Sequence, residues 1–269
     1  MRTYFLKRYQ KLRPDFDFEK CIMRNALRVN TLKTTHEELL KRLKAEGVSL
    51  EKISFLNDGY YHSSDFSLGS TPEYLQGYYY LQEGASQAVS EYLNPKPGEY
   101  VLDMCASPGS KTTHIAQLMK NEGIIIALDI KEWRLNSLRN NLERMGITNT
   151  IVYNKDARYV SDLNQSFDKV LLDAPCSGNF MIEEDWFNKR TLEDIKNNAK
   201  TQRELLKSGL SVLKKGGLII YSTCSLEPEE NEDIVDWAKR ELGVKEIKSK
   251  RFWPDVDFTQ GFFISVLTK

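Results

Sequence analysis

The sequence predicts an α/β fold, built on a parallel, doubly wound sheet that follows a smaller N-terminal module. Two observations lead to this prediction. From residue 99 onward, short apolar segments alternate with segments of helical periodicity, and this alternation is typical of a parallel sheet with helices on both faces. The segment Asn94-Pro95-Lys96-Pro97-Gly98 separates this region from a mixed one, because two prolines and a glycine interrupt regular structure. We therefore expect residues 1–94 to form the N-terminal module and residues 95–269 to form the larger domain.

The elements of the larger domain are predicted in chain order from apolar periodicity. Helices are predicted after the loop Cys105–Ser110 as far as Lys120, and at residues 132–145, 191–213 and 229–241. Strands buried on both faces read as near-continuous apolar segments, and these lie at residues 99–104, 123–129, 150–154, 167–172, 218–222 and 261–267. In the N-terminal module, Thr35 and Glu38 match a capping box at the start of a helix that Gly47 ends.

Composition limits the class of protein. The 269 residues carry 38 basic and 38 acidic side chains, so the net charge is zero, and four cysteines are too few for a disulfide scaffold. Apolar runs stay far below the roughly 18 residues of a membrane span, and the first residues lack the apolar core of a signal peptide. Three scattered histidines and the lack of a Cys-x-x-Cys pair argue against zinc. We therefore expect a cytoplasmic protein with reduced thiols, no membrane contact and no metal.

The first 50 residues are basic. They carry 12 Lys and Arg against 6 Asp and Glu, and the segment Met1–Arg13 holds five basic residues and no acidic one. This segment, which we call the basic arm, either contacts phosphate groups or is a frayed, solvated end. Lys41, Arg42 and Lys44 add positive charge. The tyrosines Tyr78–Tyr80 could stack on bases, but packing between the two domains is the favoured interpretation.

Four of the predicted strands end at or near an aspartate: Asp103, Asp129, Asp156 and Asp173. In a doubly wound sheet, ligands bind outside the carboxyl ends of the strands. Each aspartate alone could cap the following helix, but four at successive strand ends favour a ligand site. Asp129 holds the position from which an acidic residue binds a ribose diol, and Asp156 could accept a hydrogen bond from an adenine amino group.

The loop Cys105–Lys111 is rich in small residues, which let a ligand approach its backbone, and the helix behind it favours an anion such as a carboxylate. It matches neither Gly-x-Gly-x-x-Gly nor a P-loop, so the sequence does not indicate a dinucleotide or a nucleoside triphosphate. S-adenosylmethionine combines a carboxylate, a ribose and an adenine. The predicted cofactor is therefore S-adenosylmethionine.

Two cysteines follow neighbouring strands of the predicted sheet. Cys176 lies in Asp173-Ala-Pro-Cys176-Ser-Gly178, and Cys224 lies in Tyr221-Ser-Thr-Cys224-Ser225. The strand order of such a sheet places these two strand ends side by side, so both thiols should face the mouth of the site. A free cysteine is more often a small core residue, and a catalytic disulfide is open as well, although its usual motif is missing. Cys105 is expected to be a small lining residue of the ligand loop.

These motifs, together with Asp103-Met-Cys-Ala-Ser-Pro-Gly-Ser-Lys-Thr112, resemble those of the RNA cytosine-5 methyltransferases of the NOL1/NOP2/Sun type. The resemblance covers about residues 20–269 and includes Arg28-Val-Asn30-Thr-Leu and Tyr80-Leu-Gln-Glu-Gly-Ala-Ser-Gln87. Ser107 and Ser110 stand where alanine and glycine are common in that family. The resemblance implies a Rossmann-like S-adenosylmethionine methyltransferase fold with a small N-terminal α/β RNA-binding module.

The resemblance also implies a role for each matching residue. Cys224 would attack C6 of cytosine, and Cys176 would assist release of the covalent adduct. Asp173 would hydrogen-bond and protonate N3, whereas an ionised Asp173 would bind the exocyclic amine, and Lys111 would orient the base or the cofactor. The residues that would hold S-adenosylmethionine are Cys105, Ala106, Ser107, Pro108, Gly109, Ser110, Lys111, Asp129, Arg134, Asp156 and Asp173.

The function that we expect is methylation of cytosine C5 in tRNA through a covalent cysteine–C6 adduct. Two alternatives stay open: the same reaction on ribosomal RNA, and a non-catalytic RNA-binding or assembly factor that keeps the fold. The target base would have to be flipped out of a stem or unpaired. Because no further RNA-binding module is appended, the RNA would be selected by its shape or with the help of an accessory RNA-targeting protein.

Overall fold

The computed structural model describes residues 2–269, whose strands form one sheet of four and one sheet of seven strands. The smaller sheet belongs to the N-terminal part of the chain. It comprises β1 (Ala26–Val29), β2 (Ser49–Lys52), β3 (Gly59–Ser63) and β4 (Tyr79–Leu81). The strands lie in the order β2-β3-β1-β4, and all neighbours are antiparallel.

Two helices accompany the smaller sheet, α2 (His36–Ala45) and α3 (Pro72–Leu75). The predicted capping box is present, because the Thr35 side chain accepts from the Glu38 N–H and the Glu38 side chain accepts from the Thr35 N–H. Leu39 and Leu43, four residues apart on α2, are buried against Leu27 of β1. This apolar face holds the helix on the sheet.

The tyrosines around β4 are packed inside the molecule. Tyr79 is fully buried in the core of the smaller sheet. Tyr80 is buried between the guanidinium groups of Arg28 and Arg144, which lie 5.5 and 5.3 Å from its ring centre. Tyr78 is half-buried. Packing, and not base stacking, is therefore the correct interpretation for Tyr79 and Tyr80.

The larger sheet has a parallel core. Its strands are β5 (Tyr100–Asp103), β6 (Ile124–Asp129), β7 (Thr150–Asn154), β8 (Phe167–Asp173), β9 (Leu213–Thr223), β10 (Lys245–Phe252) and β11 (Phe262–Thr268). The first five are parallel, in the order β9-β8-β5-β6-β7. Beyond β9 follow β11 and β10, each antiparallel to its neighbour.

The antiparallel end of the sheet corrects the expectation of parallel strands throughout. Strand β10 is also missing from the predicted strands. Its sequence, Lys-Glu-Ile-Lys-Ser-Lys-Arg-Phe, has no apolar run, and most of its side chains are exposed or half-buried. The reason is its place at the edge of the sheet, where a strand does not need to be buried on both faces.

Helices cover both faces of the larger sheet: α4 (Gly84–Leu93), α5 (Ser110–Leu118), α6 (Glu132–Met145), α7 (Trp186–Lys189), α8 (Leu192–Ser211) and α9 (Glu232–Leu242). Leu206 of α8 and Ile234 of α9 are buried in the core on one face. Val89 of α4 and Ile115 of α5 are buried in the core on the other face. This double cover explains why the central strands read as near-continuous apolar segments.

The helix bounds differ by a few residues from the predicted ones. Helix α8 ends at Ser211 instead of residue 213, because Leu213 already pairs with Phe167 as the first residue of β9. Helix α9 covers Glu232–Leu242 and not 229–241, because residues 229 and 230 belong to a short 3₁₀ turn, Pro228–Glu230. No helix within residues 2–269 is both long and apolar enough to cross a membrane.

The basic arm forms a packed helix, α1 (Arg2–Leu12), so the interpretation as a frayed end is wrong. Phe5 and Tyr9 are fully buried in an aromatic cluster with Trp186. Arg8 lies 2.9 Å from Glu227 and 2.5 Å from Glu229 in ion pairs. The arm is therefore part of the larger domain's surface, and acidic partners already neutralise a share of its charge.

We expect Phe5→Ala to destabilise the fold. Phe5 is fully buried, and removing a buried phenylalanine typically costs about 3–5 kcal/mol. Denaturant unfolding of wild type and variant measures the difference. The matched control is Tyr4→Ala, because Tyr4 directly precedes Phe5 on α1 and is 44% exposed. Equal unfolding midpoints for the two variants would contradict the docking of α1.

Candidate active site

The two cysteine-bearing loops meet at the carboxyl ends of β8 and β9. These strands pair in parallel, with Asp173 opposite Ser222. Cys176 and Cys224 follow them by one to three residues, and their Sγ atoms lie 3.2 Å apart. The structure thus brings together two thiols that are 48 residues apart in the sequence.

A half-buried ion pair lies beside the two thiols. Lys111 Nζ is 2.8 Å from Asp173 Oδ2, and Ser222 Oγ donates to Asp173 Oδ1 at 2.8 Å. Each carboxylate oxygen carries one of these bonds and keeps further acceptor capacity for a ligand. Burial lowers the pKa of Lys111, but the charges of Asp173 and Cys224 outweigh burial, so the net shift is upward. Lys111 therefore stays protonated next to Cys224.

The two thiols are not equivalent. The hydrogen bond to Cys224, together with burial, raises the pKa of Cys176 well above its usual range. Cys176 consequently keeps its proton, and either thiol can be the donor in the contact between the two sulfur atoms. Of the two sulfurs, Cys224 is the one whose charge acts on the Lys111 ammonium, and a nearby positive charge favours a nucleophilic thiolate.

A cavity of about 770 Å³ opens at these strand ends. This volume lies within the range of roughly 300–1,000 Å³ that is typical of small-molecule sites. Within residues 2–269, no group of three or more His, Cys, Asp or Glu side chains is arranged to hold a metal ion. The residues selected from the sequence that line the cavity are Cys105, Ser107, Asp129, Arg134, Asp156, Asp173, Cys176 and Cys224.

Four residues of the loop lie behind this lining and shape the loop. Ala106 packs against Leu138 of α6. Gly109 has a φ of +106°, and a Cβ there would lie 2.9 Å from Leu138 Cδ1, so only glycine fits. Pro108 and Ser110 use their backbone oxygens to accept hydrogen bonds from other elements.

The buried polar atoms of the cavity fit S-adenosylmethionine. Asp129 is 3% exposed, and its Oδ2 accepts no hydrogen bond, although Arg134 Nη1 lies 3.3 Å away in an ion pair. The buried Ser107 Oγ has no partner either. Arg134 Nη2 donates to the backbone oxygen of Ser107 at 2.7 Å and so joins the loop to α6. An unpartnered carboxylate oxygen at the end of β6 matches the acceptor that a ribose diol needs.

Asp156 takes the capping role that the sequence left open. Its side chain accepts from the Arg158 N–H and caps the 3₁₀ helix Ala157–Leu163. The Arg158 guanidinium adds three hydrogen bonds, the shortest at 2.6 Å, and these four bonds match the roughly four acceptor positions of a carboxylate. Asp156 lines the cavity, and its contact with a ligand stays a prediction.

Asp103 ends β5 beneath the ligand loop and is 1% exposed. Burial raises the pKa of Asp103 to about 7, while the hydrogen bond from Thr112 Oγ1, at 2.7 Å, acts in the opposite direction. Its other oxygen has no partner. The charge of the nearby Asp173 adds to the upward shift, so the two carboxyl groups repel each other when both are ionised.

A buried carboxylate, which the sequence analysis missed, holds the two cysteine loops. Glu230 accepts from the Ser177 N–H at 2.9 Å, from the Ser177 hydroxyl at 2.5 Å, and from Gln202 Nε2 at 3.1 Å. The Ser177 hydroxyl also lies 3.2 Å from that of Ser225, the residue after Cys224. The acidic segment that contains Glu230 resembles an ordinary helix start. The sequence therefore did not indicate that Glu230 joins the two cysteine loops.

Two further polar residues tie the site together and were also missed. Asn179 Nδ2 donates to the backbone oxygen of Cys224 at 2.6 Å. Arg28 of β1 is fully buried, and it donates to the backbone oxygen of Ser110 at 2.8 Å and to Thr113 Oγ1 at 2.9 Å. Arg28 is part of a quoted motif, whereas Asn179 directly follows one, and the sequence contains no other signal for either role. The N-terminal module therefore contacts the cofactor loop directly.

The strand order and the cavity at the carboxyl ends define the Rossmann-like fold of S-adenosylmethionine-dependent methyltransferases. Two solved structures are similar over almost the whole chain. A methyltransferase homolog protein from Pyrococcus horikoshii has a TM-score of 0.86 and 41% identity, covering 92% of this chain and 87% of that one. NSun6 from Pyrococcus horikoshii with SFG, an S-adenosylmethionine analogue, has a TM-score of 0.89 and 28% identity, covering 98% and 97%.

Family comparison gives a closer assignment. The family model of the 16S rRNA methyltransferase RsmB/F matches residues 90–268, and that of the N-terminal domain of 16S rRNA methyltransferase RsmF matches residues 1–84. The chain belongs to the RsmB/F methyltransferase family, which confirms the resemblance to the NOL1/NOP2/Sun enzymes.

Curated relatives carry the names of RNA methyltransferases with different substrates. The 28S rRNA (cytosine-C(5))-methyltransferase of Mus musculus is 38% identical over 275 residues, covering 90% of this chain and 35% of that protein. The ribosomal RNA small subunit methyltransferase F of Vibrio parahaemolyticus is 38% identical, covering 82% and 48%. The tRNA (cytosine(49)-C(5))-methyltransferase of Pyrococcus abyssi is 39% identical, covering 91% and 81%. The chain thus spans about a third to a half of the two rRNA enzymes.

We expect Asp129→Ala to weaken binding of S-adenosylmethionine about tenfold or more. The change removes the unpartnered acceptor at the end of β6, and a hydrogen bond to a charged group contributes about 1.5–3 kcal/mol. Calorimetric titration measures the affinity. Glu132→Ala is the control, since Glu132 is exposed in the first turn of α6 and lies outside the cavity lining. An unchanged affinity in Asp129→Ala would contradict this placement of the ribose.

Proposed function

We propose that this protein is an enzyme that methylates C5 of cytosine in RNA through a covalent bond between Cys224 and C6 of the base. The observation that supports this best is the 3.2 Å contact between Cys176 and Cys224, beside the Lys111–Asp173 ion pair. Relatives named as cytosine-C5 methyltransferases support the same chemistry. A non-catalytic RNA-binding factor would have no need for two thiols in one cavity, so we rank that alternative lower.

The first step would activate the base. Cytosine C5 is too weak a nucleophile to take a methyl group directly, and addition of the Cys224 thiolate at C6 makes C5 enamine-like. Bound S-adenosylmethionine would supply the methyl group. In its ion pair with Lys111, Asp173 would accept a hydrogen bond from the exocyclic amine of cytosine, whereas as a neutral acid it would protonate N3. The Lys111 ammonium would offset negative charge that develops on the ring.

The last step would free the enzyme. The C5 proton must leave, and the bond between C6 and Cys224 must break. Cys176, which keeps its proton, lies close enough to return that proton to the departing Cys224 sulfur. The resulting Cys176 thiolate would take up the C5 proton, directly or through water, as the C5–C6 double bond re-forms. Loss of one proton from Cys224 to solvent would then regenerate the nucleophilic thiolate.

The cofactor would be held by groups that are free in the cavity. Asp129 Oδ2 would accept from the ribose diol, and Ser107 Oγ would bind a further polar group. Asp156, which lines the cavity, would contact the adenine amino group by sharing with it the carboxylate that Arg158 already binds. The cytoplasmic location, and an accessory protein that targets the RNA, stay predictions.

tRNA is our first candidate substrate, and ribosomal RNA is the second. The Pyrococcus abyssi relative is named a tRNA enzyme and is matched over 81% of its length. The family models and other relatives carry rRNA names and favour the second candidate. Both substrates need the same catalytic residues, so the site itself does not separate them.

A methylation assay separates the two RNA classes. We expect tRNA, prepared from cells that lack the gene, to take up label from tritiated S-adenosylmethionine, and bisulfite sequencing to locate the modified cytidine. Ribosomal RNA from the same cells is the parallel sample. Label in ribosomal RNA alone would establish the second candidate, and label in neither would contradict the proposed function.

The two cysteines should give opposite results when they are replaced. Cys176→Ala should still form the C6 adduct and then stall, because Cys176 acts only in release, so a denaturant-resistant protein–RNA complex should accumulate. Cys224→Ala should give no complex, since it cannot attack. The double variant should also give none. Denaturing gels of each variant with RNA and S-adenosylmethionine show the result.

Cys21→Ala is the matched control for these variants. Cys21 is half-buried in the cluster around α1, and it lies outside the cavity lining. It should turn over like the wild type without a trapped complex. A trapped complex from Cys224→Ala, with none from Cys176→Ala, would reverse the two assignments.

A further inference from the structure

A second cavity, of about 470 Å³, lies in the N-terminal module. We call it the module cavity. It is formed where β1 begins and where β3 and β4 end, and the turn after β3 closes one side. Its lining residues are Met23, Arg24, Asn25, Ala26, His62, Ser63, Ser64, Phe66, Ser67, Leu68, Leu81, Gln82 and Glu83.

The module cavity has the chemistry of a base-binding site. Phe66 and Met23 are 42% and 37% exposed, so an apolar surface is available for a flat ring to stack on. His62 Nδ1 is buried and has no hydrogen-bond partner. Burial lowers the pKa of His62, which keeps the imidazole neutral, and a neutral ring has one donor and one acceptor.

The charges of the lining argue for a base and against a phosphate group. Arg24 is the only lysine or arginine in the described lining, and it is already paired with Glu51 at 2.5 Å. Glu83 is also a lining residue, and its carboxylate would repel a phosphate. A neutral, aromatic ligand with polar edges fits these surroundings better than an anion does.

The module cavity is connected to the catalytic centre by short contacts. Glu83 Oε1 accepts from the Gln260 N–H at 3.4 Å. The next residue, Gly261, accepts from Asn179 Nδ2 at 3.4 Å, and the same amide donates to the backbone oxygen of Cys224 at 2.6 Å. Burial raises the pKa of Glu83, and the positive charge of Lys111 acts on this pKa in the opposite direction. One wall of the module cavity is therefore linked to the nucleophile through Gln260, Gly261 and Asn179.

We infer that the module cavity binds the base of an unpaired nucleotide next to the target cytidine in the RNA substrate. This inference rests on the proposed function, since it places the RNA across Cys224. The base would stack on Phe66, and its polar edge would meet the His62 ring. Recognition of single-stranded RNA commonly uses aromatic stacking combined with hydrogen bonds to base edges. The site would thus make methylation sensitive to the nucleotide beside the target.

Photocrosslinking tests the inference. The probes are nonaribonucleotides with a central cytidine in a uridine background, and each carries one 4-thiouridine at a different position. They are irradiated with the full-length protein in the presence of S-adenosylhomocysteine, and the crosslinked peptides are identified by mass spectrometry. We expect one position flanking the cytidine to crosslink to residues 23–26 or 62–68.

Two variants with matched exposure test the contact itself. Phe66→Ala should lower the crosslink yield and weaken binding of the unmodified nonamer about tenfold in fluorescence anisotropy, because stacking on an aromatic ring is lost. Phe55→Ala should change neither, since Phe55 is 41% exposed but lies outside the module cavity. His62→Ala should lower the crosslink yield as well.

The outcomes are distinct for the two proposals. If the wild type gives no crosslink within these segments, or if Phe66→Ala behaves like Phe55→Ala, the inference is overturned even when methylation of RNA is intact. If no RNA is methylated while the flanking base still crosslinks at the module cavity, the proposed function fails and the binding site remains.

Discussion

The parallel pairing of β8 with β9 is the constraint on which the site depends. It sets Asp173 opposite Ser222, so the loops that follow the two strands begin side by side at the carboxyl edge of the sheet. Glu230 then joins the loops through Ser177, with bonds to both its N–H and its hydroxyl. A buried carboxylate is stable only when such donors surround it. The same bonds that satisfy Glu230 therefore fix the positions of the two thiols.

Burial of opposite and like charges determines what the site can do. Lys111 is held charged by Asp173, so the carboxylate is stabilised as an acceptor and the ammonium remains a donor. Asp103, below them, has its pKa raised to about 7 by burial. A carboxyl group with a raised pKa stabilises the fold below its unfolded value near 3.8, and this contribution is lost as pH rises toward 7. The site thus places a titrating carboxyl group, Asp103, next to the ion pair of Asp173 and Lys111.

Apolar periodicity is sufficient to locate the buried elements of the larger domain, and α6 and β7 have the predicted bounds. It did not predict the short strands β1–β4 of the N-terminal module, although β1 is buried throughout. The sequence analysis did not identify helix α1, because its basic residues outnumber its two buried aromatic residues, Phe5 and Tyr9. The spacing of four between these two aromatic residues nevertheless indicates an apolar helix face. The bonds of Glu230 left no local pattern, since they join residues 53 positions apart. The boundary at residue 94 stays a prediction. Helix α4 precedes it in the chain but packs in one core with Val101 and Ile115 of the larger domain.

The fully buried Arg28 explains why the N-terminal module and the cofactor loop form one unit. Burial lowers the pKa of Arg28 to about 9, and the guanidinium has no carboxylate partner, so it depends on neutral acceptors. These are Gln82, the backbone oxygen of Ser110 and the Thr113 hydroxyl. Gln82 also lines the module cavity, while Ser110 begins α5 behind the cofactor loop. A displacement of either partner would leave a buried charge with fewer bonds, so the module and the loop are held in one arrangement.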